Sequence, residues 1–133
     1  MALRWYTVVV DSHDPKALGR WWAETLDFFI VYESSDELAI IPKWMSPDPK
    51  VDLDSFIRAG QGMVFVPVPE GKTVKNRLHI DLAPHTSQDR DAEIATLIER
   101  GATRVDVGQG DVGWTVLADP EGNEFCVLGS RDR

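Results

Sequence analysis

The sequence predicts an α+β fold built from two βαβββ modules. Three observations carry that expectation. Apolar runs of strand length recur along the chain, two stretches of helical periodicity interrupt them, and the order strand, helix, three strands is met twice. A lone four-stranded unit under one helix leaves a sheet face bare. Two such units paired through their first strands can make a curved eight-stranded sheet with a cavity inside and helices outside.

The first module, about residues 3–68, opens with an apolar strand from Trp5 to Val10. Asp14 and Pro15 follow: the aspartate suits a helix N-cap and the proline the first helical turn. Leu18, Trp21, Trp22 and Thr25 then fall at i, i+3, i+4 and i+7, one face of a helix. On that face the two tryptophans are expected in the core or an interface. Strands are expected from Phe28 to Tyr32, Leu38 to Ile41 and Met63 to Val68. The connection from Lys43 to Gly62 is long enough for a lid, and its Trp44 and Phe56 could cover a ligand, the core or a partner.

A polar linker, 69–75, leads to the second module, about 76–130, within a single domain spanning 1–133. Arg77 to Ala83 reads as its first strand. A helix follows from about Ser87 to Arg100, with Ile94, Leu97 and Ile98 as its apolar stripe and Gly101 as its stop. Strands come near Thr103 to Val107, Trp114 to Ala118 and Glu124 to Leu128. The stretch Gly108 to Gly113 lacks the Lys-Ser/Thr ending of a phosphate loop and precedes a strand, so it reads as a flexible connection. His13 and His85 fall in the two strand-to-helix turns, exposed and without ligand spacing to His79.

The 133 residues suit one compact core, and 43% apolar content is ordinary for a globular chain. No apolar run spans a membrane, Met1 to Trp5 shows no signal-peptide pattern, and one cysteine cannot form an internal disulfide. A cytoplasmic protein without membrane partners is expected. A net charge of −8 with no Lys/Arg cluster argues against nucleic acid. The charge serves solubility and can attract a cationic ligand.

Two segments concentrate the polar chemistry. In the first strand of the second module, Leu78, Ile80 and Leu82 share one face, suited to packing under a helix, while Arg77, His79 and Asp81 share the other. Near the C-terminus, Asp119-Pro120-Glu121-Gly122-Asn123 reads as a tight turn closing a hairpin. Beyond it Phe125 and Val127 point one way, Glu124 and Cys126 the other. His79 beside Cys126 could form a thiolate-imidazole pair, whereas a buried Cys126 would pack as a small apolar group. His79 could equally serve as a general base or hydrogen-bond a ligand.

The turn, joined to Asn76-Arg77-Leu78-His79-Ile80-Asp81-Leu82 about forty residues earlier, resembles the vicinal oxygen chelate superfamily, and most closely its glyoxalase-like group. The resemblance covers nearly the whole chain. It implies a curved, incompletely closed eight-stranded sheet with helices outside, often assembled as a dimer. Metal-dependent members of the superfamily use four ligands, typically a histidine and a glutamate from each module. His79 matches the second histidine. The first falls near Val8, with Thr7 and Val9 beside it, and no carboxylate stands near Phe65 to Val68. The place of the last glutamate holds Cys126, with Glu124 two residues earlier. His79, Cys126 and either Glu124 or Asp81 only approach a ligand set, so neither metal nor cofactor is expected.

The expected protein is therefore a small-molecule binder of the bleomycin-resistance type that sequesters a cationic or aromatic compound. Arg77, His79, Asp81, Trp44, Trp114, Glu124 and Cys126 are expected around the ligand. The alternative is a lyase or isomerase with His79 as acid or base on a small carbonyl compound. A third reading is a structural or regulatory interaction module. The resemblance and five tryptophans in so small a chain also point to a homodimer.

Overall fold

A computed structural model of the chain describes residues 3–106 and 113–132. The chain divides into two compact units, Met1–Gly71 and Lys72–Arg133, so the boundary falls inside the polar stretch expected to link the modules.

The first unit runs β1 (Thr7–Ser12), α1 (Pro15–Leu26), β2 (Phe28–Glu33), β3 (Leu38–Pro42), α2 (Leu53–Arg58) and β4 (Gly62–Pro67). The second runs β5 (Ile80–Leu82), α3 (Arg90–Glu99), β6 (Thr103–Arg104), β7 (Thr115–Ala118) and β8 (Glu124–Val127). Each forms a four-stranded sheet, in the orders β1-β4-β3-β2 and β5-β8-β7-β6. In both, the first strand runs parallel to the last and the remaining neighbours are antiparallel. The expected α+β class and module repeat are therefore present, with β bounds shifted mostly by a residue or two.

Local chemistry explains the elements. An aspartate caps each helix: Asp14 accepts from the Ala17 amide at 3.2 Å, Asp52 from Ser55 at 2.8 Å and Asp89 from Ala92 at 3.2 Å. On α1, Leu18, Trp21 and Trp22 are buried, and the two indole rings meet edge to face at 5.1 Å. Gly19 lets the helix approach the side chains of Leu38 and Phe65. Those two residues and Ile40 are wholly enclosed, each burial worth about 1.5–3 kcal/mol. In the second unit Ile94 and Leu97 of α3 are buried, as are Leu117, Phe125 and Val127 of the sheet.

Five expectations are corrected. Strand β5 has three residues rather than seven, and Leu78, placed under a helix by parity, is 90% exposed. The reason is register: β8 begins at Glu124 and pairs only Ile80 to Leu82, so the preceding residues have no ladder to join. The helix expected from about Ser87 begins at Arg90, where its Asp89 cap sits. Ile98, in its last turn, is 36% exposed and is not part of the buried stripe. The long connection contains α2, a helix with no buried residue. There the Arg4 guanidinium lies 4.8 Å from the ring centres of both Tyr6 and Phe56, so Phe56 packs on a cation. The strand end expected at Val107 and the glycine-rich stretch to Val112 fall outside the described residues.

Candidate functional site

The β7–β8 turn is built around one carboxylate. Asp119 is 3% exposed, and its Oδ1 accepts from the amides of Glu121 at 2.9 Å and Asn123 at 3.0 Å. The Asn123 side-chain amide donates to both carboxylate oxygens, at 3.2 and 3.1 Å. Gly122 takes φ 90°, which a side chain would resist. The turn thus fixes where β8 begins and which of its residues face away from the buried side.

On that opposite side the second unit carries a cleft of about 460 Å³, inside the range of about 300–1,000 Å³ usual for small-molecule sites. Its polar lining is Lys75, His79, Asp81 and Glu124. Its apolar lining is Trp114, Val116, Cys126 and Leu128.

These groups differ in availability. Glu124 is engaged: its carboxylate accepts from Lys72 Nζ at 2.8 Å and the Asn76 amide at 3.1 Å. Burial alone would raise its pKa, but the ammonium and the amide outweigh burial and hold it below the usual glutamate value. Lys75 donates its ammonium to the Asn76 carbonyl at 3.1 Å. His79 and Asp81 stand half-exposed, with Nδ1 and Oδ1 3.0 Å apart. Cys126 Sγ lies 3.9 Å from the same Nδ1. Burial pushes the Cys126 thiol above its usual value, and the Asp81 carboxylate pushes it further. Cys126 is therefore a protonated thiol at neutral pH rather than a ready nucleophile.

Of the residues expected around a ligand, His79, Asp81, Trp114, Glu124 and Cys126 line this cleft, and Arg77 is not among its lining residues. Arg77 is exposed in the bend before β5. Trp44 belongs to the first unit, where its ring lies against Gly60 and it is 71% exposed. Lys72 and Asn76 were missed. They lie in or beside the linker, 52 and 48 residues from Glu124, and no local pattern marks such partners. Arg90 was also missed: it donates to the carbonyls of Val127 at 2.7 Å and Leu128 at 2.9 Å, tying α3 to the end of β8.

In the first unit, residues 7–9 of β1 and all of β4 hold no histidine, carboxylate or cysteine. In the second unit the one carboxylate on β8, Glu124, already serves Lys72 and Asn76.

Solved structures similar in fold cover almost the whole chain. A glyoxalase/bleomycin resistance protein/dioxygenase family enzyme from Burkholderia phytofirmans aligns with a TM-score of 0.68 at 14% identity, over 97% of this chain and 100% of that one. A fosfomycin resistance protein from Listeria monocytogenes, solved with Mn(II) and sulfate, gives 0.65 at 10% identity, over 94% and 88%. A possible glyoxalase from Bacillus cereus gives 0.62 at 11%, over 92% and 95%. No curated protein matches the sequence. The sequence pattern described as a glyoxalase-like domain matches residues 7–128, from the start of β1 to just beyond β8. With that span and the repeated βαβββ topology, the chain belongs to the glyoxalase-like domain family of the vicinal oxygen chelate superfamily.

Proposed function

We propose that the chain binds a small molecule in the cleft of its second unit, sequestering a cationic or aromatic compound without the superfamily's metal tetrad. The observation that carries this reading is the pairing of the exposed Trp114 indole with the half-exposed Asp81 carboxylate in one cleft. An indole face and a carboxylate are what an aromatic cation needs. The chain's net charge of −8 favours the same partner at long range. Names of structural relatives that mention resistance accord with sequestration.

The test is titration with bleomycin and a series of planar aromatic cations, read by tryptophan fluorescence. Trp114→Ala should remove most of the signal and affinity. His79→Ala should cost about 1 kcal/mol, as for a typical lost hydrogen bond. Cys126→Ser should leave affinity nearly intact. Binding that is indifferent to Trp114→Ala and Asp81→Asn would overturn the reading.

One observation favours a second reading, a lyase or isomerase acting on a small carbonyl compound. Asp81 beside Nδ1 can fix the His79 tautomer and leave Nε2 to move a proton. Turnover abolished by His79→Gln but retained in Trp114→Ala would favour it. We further propose a homodimer in the cytoplasm. Trp5, Tyr6 and Tyr32 are 67%, 64% and 54% exposed, apolar surface that a second copy could cover, and the lone free cysteine suits a reducing compartment. Sedimentation as a monomer at micromolar concentration would remove the dimer.

A further inference from the structure

We propose that the ligand of the second unit's cleft is an aromatic zwitterion: a ring bearing one amine and one carboxylate, with the amine on Asp81 and the carboxylate on Lys75. This ligand class narrows the small-molecule reading above and rests on it. The polar groups lining the cleft are Lys75, His79, Asp81 and Glu124. Glu124 is neutralised by Lys72 at 2.8 Å, and the side chains of Lys72 and Glu124 are only 18% and 11% exposed. That pair presents no net charge to a ligand. What remains is one ammonium and one carboxylate. Among the described residues Lys75 has no carboxylate partner, and Asp81 faces an imidazole rather than a lysine or arginine. A ligand carrying only a cation satisfies Asp81 but leaves the Lys75 charge opposing it. A ligand carrying both charges answers both groups.

Both groups keep capacity for a ligand. An ammonium has three N–H donors, and Lys75 gives one to the Asn76 carbonyl at 3.1 Å. A carboxylate accepts about four hydrogen bonds, and Asp81 meets the His79 imidazole at 3.0 Å and the Cys126 thiol. The two charges are placed by different means. Asp81 is fixed on β5 by its register with Cys126. Lys75 precedes that strand, in a stretch that Glu124 ties down through the Lys72 ammonium and the Asn76 amide. The Glu124 clamp therefore holds the chain on both sides of Lys75 and keeps its side chain in the cleft lining. The sulfur of Cys126, on the cleft wall, feels both charges: Asp81 pushes the thiol pKa up and Lys75 pulls it down. A ligand against that wall lies in the same two fields. Trp114, Val116 and Leu128 offer its ring apolar surface.

The test titrates the full chain by calorimetry with compounds that share one ring: phenethylamine, hydrocinnamate, phenylalanine and phenylalanyl-glycine. The first carries the amine alone, the second the carboxylate alone, and the last two carry both at different separations. The tighter of the two zwitterions should exceed phenethylamine about fivefold, the upper end for an ion pair that water reaches, and added salt should shrink the preference. Lys75→Met should abolish it by weakening the zwitterion while leaving phenethylamine as tight or tighter. Lys75→Arg should keep it. Zwitterions that bind no tighter than phenethylamine, or an advantage that survives Lys75→Met, would overturn the zwitterion class and leave the cationic reading standing. Binding of hydrocinnamate without binding of phenethylamine would overturn the cationic reading and the amine's place on Asp81 together. No binding by any of the four would overturn both.

Discussion

The two units repeat one backbone plan and fill it with opposite chemistry. Across the first sheet, on the face away from α1, a row of register partners reads Val9, Val64, Ala39 and Tyr32. The corresponding row in the second sheet reads Asp81, Cys126 and Val116. Both rows cross a parallel pair of first and last strands. One offers only apolar surface and a phenol, the other a carboxylate and a thiol with His79 beside them. The last two strands are also joined differently. In the first unit a connection of about twenty residues carries α2, whereas in the second a five-residue turn closes on Asp119. A repeated topology therefore does not imply a repeated site. One copy can keep the donors while the other keeps only the frame.

The largest expected effects ask whether the two cores are equivalent. Phe65 and Phe125 are 0% and 1% exposed, one in each sheet. Phe65→Ala and Phe125→Ala should each destabilise by about 3–5 kcal/mol, read as the shift in the urea midpoint. A cost confined to one of them would break the equivalence of the units.

The turn comes next. Asp119→Ala strands two backbone amides and the Asn123 amide, and should cost about 2–3 kcal/mol, the range for losing hydrogen bonds to a buried charged group. Asp52→Ala, on the exposed cap of α2, should cost clearly less. Comparable losses in thermal melts would mean that the long connection is as structural as the short turn.

The smallest effect lies at the acid end of the pH range. The folded pKa of Glu124 is lowered, so the unfolded chain binds the extra proton first as pH falls. The contribution of Glu124 is complete above the ordinary glutamate value of about 4.3 and disappears as pH drops through the lower folded value. Lys72→Met should flatten the acid limb of stability against pH, and Glu124→Gln should remove its share. An unchanged limb in both variants would show that the clamp adds nothing beyond geometry.

Much of this fold was legible residue by residue. The Asp14-Pro15 start of α1, its Leu18, Trp21 and Trp22 stripe and the hairpin around Asp119 depend on neighbours within a few positions, and each is where the pattern places it. The same reasoning failed at Leu78, because parity tells which way a strand residue points but not whether a partner strand reaches it. It also left Glu124 and Asp81 as equal companions for Cys126. The sheet separates them: Asp81 pairs with Cys126 in register, while Glu124 is taken by Lys72 and Asn76.

The sequence by itself determined the α+β class, the two modules, the helical faces and the turn, because periodicity, capping and turn chemistry act over a few residues of chain. It also showed that positions 7–9 and 65–68 hold no histidine, carboxylate or cysteine, since composition at a strand position needs no coordinates. Tertiary structure decided where β5 begins, which carboxylate stands beside Cys126, and that Trp44 packs on Gly60. Those outcomes depend on the register of strands more than forty residues apart and on contacts from linker residues. Such pairings are chosen by the free energy of the whole packed unit, which no local pattern encodes.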